Sequence, residues 1–334
     1  MAELLQKILK EMAGHRIMVI GDMVADVYLE GRISRISREA PVLVLEHAGE
    51  TVVPGGAANA VNNAATLGGN VHAVGFIGAD ATGRELVASL GGKGVICAGL
   101  ISDPARPTIT KTRVMAGGLG TVRQQVVRID RESREEPGRA IEEKIAAYIA
   151  ANIGAMQAVV MSDYGSGTLS PAVRRQVTDA CRQKGIPCIV DSRYNILAFT
   201  GATVVKQNEA EVAAALGYKT LEGDNLLAAG RDMLAAMQAE AILLTRGADG
   251  MSLFTTDRVT HIPVTNISKV FDVTGAGDTA VVTMALALAA GAPYEDATRL
   301  ANFAAGIVVR KPGTATTTIS ELQEAVEAYD ENNR

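Results

Sequence analysis

Short apolar runs rich in β-branched residues alternate with stretches of helical spacing along most of this chain, and that alternation restricts the fold more than any other feature. The strand-like runs are Ile17–Gly21, Val71–Ile77, Val95–Ile101, Ala158–Met161, Pro187–Val190, Thr203–Val205 and Ala241–Leu244. Between them the spacing predicts helices over Ala57–Leu67, Arg84–Leu90, Ile141–Ile153, Pro171–Gln183, Glu209–Leu216, Leu226–Gln238, Gly277–Ala290 and Pro293–Arg310. A strand that is apolar throughout has both faces covered, and parallel neighbours need a crossover long enough to hold a helix. The expected fold is α/β: three layers, with a mainly parallel sheet between two layers of helices. Met1–His15 carries Glu3, Lys7, Lys10 and Glu11 among its apolar residues, so it reads as a short amphipathic helix and not as a signal peptide.

Two segments break the rhythm. Asp26–Val53 and Thr108–Ile129 lack helical periodicity, are rich in Val, Ile, Leu, Thr and Arg, and each fits a pair of antiparallel strands. They are expected to build a small second sheet inserted into one α/β domain spanning residues 1–334, a lid over the carboxyl ends of the parallel strands, where open α/β sheets bind ligands.

Composition removes several classes of function. With 48% hydrophobic and 21% charged residues the chain can pack a core, and a formal charge of −5 without a Lys/Arg block argues against a nucleic-acid partner. The longest apolar run, Thr279–Gly291, is too short to span a bilayer, so no membrane partner is expected. Cys97, Cys181 and Cys188 form no paired motif and read as small buried hydrophobes in a reducing, cytoplasmic setting. His15, His47, His72 and His261 are scattered and offer no zinc site.

The chemistry is concentrated in Phe271-Asp-Val-Thr-Gly-Ala-Gly-Asp278-Thr279, which runs directly into an Ala/Val/Leu helix. Gly275 and Gly277, with Ala276 between them, let backbone N–H groups converge at a helix N-terminus, which is an anion site by geometry and by dipole. The same dipole is expected to hold Asp278 ionised, a weak base that orients a substrate hydroxyl. Gly275-x-Gly277-x-x-Ala280 also fits a loose dinucleotide-binding fingerprint, but it follows no opening βαβ strand, and no P-loop motif occurs.

Asp272-Val-Thr-Gly-Ala-Gly-Asp278 resembles the C-terminal signature of the ribokinase-like PfkB sugar kinases, and Pro54-Gly-Gly-Ala-Ala-Asn59 resembles their N-terminal one. Asn208-Glu-Ala-Glu211 is similar to their N-x-x-E, and the motifs stand in family order along nearly the whole chain. Within the family, Gly21-Asp22, Ser34-Arg-Ile-Ser-Arg-Glu-Ala-Pro41, Thr110-Lys-Thr-Arg113, Ser162-Asp-Tyr164 and Lys311-Pro-Gly-Thr314 resemble D-glycero-β-D-manno-heptose 7-phosphate kinases. Some of those are fused to a nucleotidylyltransferase, for which 334 residues leave no room. The runner-up is a PfkB-type kinase of another sugar, sugar phosphate or nucleoside; a catalytically silent sugar or nucleotide sensor is disfavoured by the intact motif residues.

The resemblance implies ATP and magnesium, with Asp278 as base and Gly275, Ala276 and Gly277 as anion hole. Asn208 and Glu211 would organise the metal, partly through water, while Thr245, Arg246, Gly247 and Asn302 would hold the nucleotide. Asp22, Asp26, Gly55, Gly56, Asn59 and Asp163 would meet the sugar, and Arg35, Arg38, Lys111 and Arg113 would bring charge from the lid to a substrate phosphate. Asp272 is a candidate ligand for a monovalent cation such as potassium, and a homodimer joined through the lid is expected. The chain departs from the heptose kinase pattern in three places. The Lys-Gly after Ser-Asp-Tyr is missing, Asp-Pro-Lys-Gly has become Asp191-Ser-Arg193-Tyr194, and the Thr-Pro before Asn208 is Lys206-Gln207. Arg193 is therefore expected to take over the sugar phosphate, and Lys206 to lie near the nucleotide phosphates.

Overall fold

The computed structural model describes residues 1–117, 124–133, 137–265 and 270–332. Residues 118–123, part of the second inserted segment, lie outside the described residues. The chain opens with helix α1 (Ala2–Met12) and strand β1 (Arg16–Gly21), then leaves for a hairpin, β2 (Met23–Ile36) and β3 (Leu43–Gly56). It continues through α2 (Ala57–Thr66), β4 (Asn70–Gly78), α3 (Ala81–Gly91) and β5 (Ile96–Asp103) to β6 (Ile109–Gly117) and β7 (Gln124–Arg131). Next come α4 (Arg139–Asn152), β8 (Ala158–Asp163), α5 (Pro171–Lys184), β9 (Cys188–Ser192), β10 (Val204–Asn208), α6 (Glu209–Leu216), α7 (Asp224–Met237) and β11 (Ala241–Thr245). Strands β12 (Met251–Thr255) and β13 (Val259–Ile262) and helices α8 (Ala276–Ala289), α9 (Tyr294–Val308) and α10 (Ile319–Asn332) complete it.

The main sheet has the order β13-β12-β11-β10-β9-β8-β1-β4-β5, parallel from β11 to β5 and closed at one edge by the antiparallel β12 and β13. Alternate residues of each strand go to opposite layers. Ile17, Val19, Val160, Ile189 and Val204 pack with α1, α2, α8, α9 and α10, whereas Met18, Met161, Val190 and Val205 pack with α4, α5, α6 and α7. Each such side chain, fully withdrawn from water, contributes about 1.5–3 kcal/mol. The chain winds outward from β1 in both directions, through β4 and β5 on one side and β8 to β11 on the other. The crevice of such a sheet therefore opens at the carboxyl end of β1.

The two inserted segments do form antiparallel hairpins, and they join through a parallel seam between β2 and β6, from Val24↔Ile109 to Arg32↔Gly117, in the order β3-β2-β6-β7. The inner end of β2, Met23 to Val27, is buried and its outer end is exposed. Strands β12 and β13 and helix α10 were not foreseen. β13 is a four-residue strand, and α10 presents mostly polar residues with only Leu322 and Val326 in the core. Among the described residues no helix is long and apolar enough to cross a membrane, no group of three or more acidic, His or Cys side chains is arranged for a metal, and the three cysteines are free.

Candidate active site

The carboxyl ends of β1, β8, β9 and β10 face the N-terminus of α8, and the side chains that continue the strand alternation past the apolar core are the polar ones. After Val204 on the α8 face comes Lys206, and after Ile189 comes Asp191, its direct partner in the β9–β10 register. Asp278 enters from α8 and is fully enclosed. Its Oδ2 accepts a hydrogen bond from Asn59 Nδ2 at 2.8 Å and its Oδ1 one from the Tyr164 hydroxyl at 3.0 Å. Asn59 is braced by Asn63, which donates to its carbonyl and side-chain oxygens and accepts from Thr279. Gly275, at φ 81°, caps the helix, and a Cβ there would meet Asn59 Nδ2 at 2.6 Å. Only glycine fits both the backbone and the space.

The Asp278 carboxyl is ionised at neutral pH as expected, but it is a stronger base than a carboxylate lowered by the helix dipole would be. Burial pushes its carboxyl up to about 6, with the charge of Asp191 adding to the rise; the bonds from Asn59 and Tyr164 and the Lys206 ammonium oppose it. Desolvation outweighs the dipole because the group has no water to turn to. Burial also raises the Tyr164 hydroxyl, helped by the charges of Asp278 and Asp191, so it stays a neutral donor. Burial alone would lower the Lys206 ammonium, but Asp191, Glu211 and Asp278 hold it above its ordinary value.

Asn208 and Glu211 form a reciprocal cap on α6: Asn208 Oδ1 accepts from the Glu211 N–H and Glu211 Oε2 from the Asn208 N–H, both at 2.8 Å. Glu211 Oε1 has no hydrogen-bond partner among the described residues, and Glu211 lines a cleft of about 530 Å³ with Arg193, Tyr194, Gln207 and Asn208. Burial moves the Glu211 carboxyl upward, against the pull of Lys206. A half-buried carboxylate with one open oxygen, beside a second carboxylate at Asp191, is a hard-oxygen environment that fits magnesium carrying its own water.

Several residues expected at the sugar are spent elsewhere. Asp22 is buried and accepts from the N–H groups of Tyr164, Ser166 and Thr168, so it shapes the loop after β8. Asp163 likewise accepts from Ser192 Oγ at 2.6 Å and from the Gly165 N–H. Burial raises its carboxyl despite the Ser192 bond. Asn59 orients Asp278 instead of a hydroxyl. Gly55 and Gly56 end β3, and a Cβ on Gly55 would stand 2.8 Å from the Asp26 carboxyl carbon, so these three remain grouped.

The charged residues of the small sheet divide in two. Lys111 Nζ sits 5.5 Å from the centroid of the Tyr164 ring, whose hydroxyl donates a hydrogen bond to Asp278. Arg113 is held by Asp26 at 2.7 Å and lies against Tyr28, so it is not a free phosphate contact. Arg35 and Arg38 are exposed beyond the buried end of β2; nine residues of strand separate Arg35 from Asp26, roughly 30 Å. Within one chain they do not join the site, which corrects the expectation of a four-residue grip. Arg193, expected at the sugar phosphate, lines the cleft with Asn208 and Glu211. Arg246 is tied to Glu209 at 2.9 Å and to Asp249, Thr245 Oγ1 donates to the Gln207 carbonyl, Gly247 adopts φ 55°, and Asn302 donates to the Pro263 carbonyl. Asp272 ties two loops together by accepting from the Thr274 and Gly313 N–H groups; burial pushes its carboxyl up, but these bonds and Arg113 bring it below its ordinary value. Sequence reading missed the roles of Tyr164 and Asp191. Their signal was positional, a polar residue directly past an apolar strand.

A nine-stranded α/β sheet with a small sheet at its carboxyl edge, and a carboxylate poised over a glycine-lined helix N-terminus, defines an enzyme that transfers an anionic group to a hydroxyl. Residues 15–321 match the model of the pfkB family carbohydrate kinases, and the chain belongs to that family. It is 43% identical over 311 residues to the bifunctional protein HldE of Geotalea uraniireducens, covering 92% of this chain and 62% of that protein. It is also 43% identical over 307 residues to the HldE of Geobacter metallireducens, covering 91% and 61%. The chain thus spans somewhat under two thirds of the curated relatives it matches. Among solved structures, phosphofructokinase-2 of Escherichia coli in complex with potassium superposes with a TM-score of 0.74 at 18% identity, covering 95% of this chain and 99% of that one. Ribokinase of Arabidopsis thaliana, complexed with ribose and ATP, gives 0.67 at 20% identity, covering 95% and 98%. These confirm the fold.

Proposed function

We propose that this carbohydrate kinase transfers the γ-phosphoryl group of ATP to the C1 hydroxyl of D-glycero-β-D-manno-heptose 7-phosphate, giving the 1,7-bisphosphate. The observation that carries the reading is Asp278, enclosed at the N-terminus of α8 with both oxygens oriented by Asn59 and Tyr164. The likeness to the HldE proteins and the segments Ser34–Pro41 and Thr110–Arg113 support the acceptor. Asp278 takes the hydroxyl proton as the acceptor oxygen bonds to phosphorus, and a carboxyl near 6 is ionised at neutral pH yet basic enough to hold that proton. The N–H groups of Gly275 to Gly277 meet the phosphoryl oxygens as charge gathers on them. Glu211, with Asn208 beside it, would hold magnesium partly through water, and the ion would supply charge to offset that of the phosphates. Thr245, Arg246, Gly247 and Asn302 frame the nucleotide, and Asp26, Gly55, Gly56 and Lys111 the sugar phosphate. The Asp272 loop is a proposed seat for potassium.

Further parts of the reading concern the whole protein. The exposed apolar residues Ile33, Ile36, Leu43, Val127 and Ile129 on the small sheet support a homodimer paired through it. In such a dimer Arg35 and Arg38 would have a partner's site within reach. The three free cysteines are in keeping with the proposed cytoplasmic setting. The test is ATP-dependent ADP release across a panel of sugars and sugar phosphates, with the product located by phosphorus NMR. Heptose 7-phosphate should give the highest kcat/KM, with phosphate appearing at C1. If another acceptor exceeds it, the reading shifts to a kinase of a different sugar.

A further inference from the structure

Strand β10 runs Val-Val-Lys-Gln-Asn through the middle of the sheet, and Lys206 is 5% exposed, where a strand covered on both faces ordinarily carries an apolar residue. An ammonium in such a place costs several kcal/mol unless something repays the lost water. Asp191 repays part of it, at 2.8 Å from the adjacent strand. One surface ion pair would need no such depth. The ammonium instead lies against the backbone of the anion hole: a Cβ on Gly277 would stand 2.7 Å from Lys206 Nζ. It therefore shares the small volume between Gly277, Asp191 and the fully buried Asp278.

We propose that Lys206 is a catalytic residue whose ammonium binds the phosphoryl group in flight, inside the hole formed by Gly275 to Gly277, and that Asp191 positions it there. This deepens the kinase reading and rests on it. In the step itself the acceptor oxygen forms a bond to the γ-phosphorus and the bond from that phosphorus to the β–γ bridging oxygen breaks, its electron pair leaving on ADP. The acceptor proton passes to Asp278. During this exchange negative charge is spread over the three equatorial oxygens, and backbone N–H groups alone bring only partial charges to them. Asp191, Glu211 and Asp278 add three carboxylates around the incoming phosphates, so a full positive charge at Gly277 meets the demand where it is greatest. Of the nearby cations, Arg193 lines the outer cleft and Lys111 lies over Tyr164, while Lys206 touches the hole.

The test compares Lys206→Met, Lys206→Arg and the double variant Asp191→Asn/Lys206→Met with wild type, using the best acceptor from the panel. Loss of a transition-state contact should lower kcat by about 10²-fold or more in Lys206→Met while KM for ATP and acceptor changes by less than about threefold. The double variant, which removes the stranded Asp191 charge, should be as slow. A second arm measures binding of magnesium-ADP with and without aluminium fluoride. Lys206→Met should bind magnesium-ADP like wild type and lose the tightening that fluoride brings. Recovery of kcat in the double variant would make Lys206 only the partner of Asp191, and near-normal kcat or unchanged fluoride tightening in Lys206→Met would remove it from the reaction. If wild type releases no ADP with any acceptor, the kinase reading falls, and the fluoride arm still decides whether Lys206 serves the hole.

Discussion

Asp278 shows how a residue's neighbours override its address. At a helix N-terminus the dipole favours the ionised form by at most about 2 kcal/mol, whereas complete burial acts in the other direction and is larger. The carboxyl stands at about 6 against 3.8 for an exposed aspartate, roughly 3 kcal/mol of disfavoured charge above that pH. The folded-state value is raised, so the group weakens the fold where it is charged in both states and ceases to do so as the pH falls below 6 toward 4. Asp278→Asn should therefore melt at a higher temperature than wild type at pH 8, by up to about 3 kcal/mol in stability, with the gap closing near pH 4. The same substitution should cut kcat by at least about 10²-fold, and the wild-type rate should fall as pH drops through 6. Melting curves and rates on one preparation check both; a variant no more stable at pH 8 would mean that Tyr164, Asn59 and Lys206 already neutralise the cost. The place of Asp278 at a helix N-terminus was legible in the sequence, because glycine spacing before an apolar helix is a local signal. Its strength as a base was not, since burial and the approach of Asp191, Asn59 and Tyr164 come from segments far apart in the chain.

At the scale of elements, the N-x-x-E motif has a structural task that can be separated from the proposed metal role. Asn208 and Glu211 close the first turn of α6, and Glu211 also lines the cleft. Glutamine at 211 still accepts from the Asn208 N–H and so keeps the cap, but it gives up the charge. Glu211→Gln should leave the melting temperature within about 2 °C, since a cap is worth roughly 1 kcal/mol and is retained, while raising several-fold the magnesium concentration needed for half-maximal rate. An unchanged magnesium titration would leave Glu211 with the cap alone. Helices and parallel strands were readable here because their apolar periods are strong, and the inserted hairpins were readable by lacking one. The short, half-exposed β13 and the mostly polar α10 gave no comparable period; their places follow from neighbouring strands and helices that sequence spacing does not reveal.

At the scale of the molecule, the small sheet is held at one end. The base of β2 is buried where it leaves β1, Tyr28 reaches the loop at Gly313, and the outer half carries exposed apolar side chains on β2, β3 and β7. Replacing Val127 and Ile129 by Asp should convert a dimer to a monomer in sedimentation velocity without loss of the folded core. A wild type that sediments as a monomer at all concentrations would end the lid-dimer reading.

The parallel seam between β2 and β6 bears on how the chain reaches this form. Val24 and Ile109 are adjacent in space but separated by α2, β4, α3 and β5, so no turn can bring the two hairpins together. Closing so large a loop costs entropy before any contact repays it, and pairing of this kind is slow. The β1–β4–β5 half of the main sheet, whose pairings span shorter stretches of chain, is expected to form first and carry β6 to β2. The small sheet should therefore gain protection later than β1, β4 and β5 in pulse-labelled hydrogen exchange during refolding, and simultaneous protection would show that the seam forms with the core.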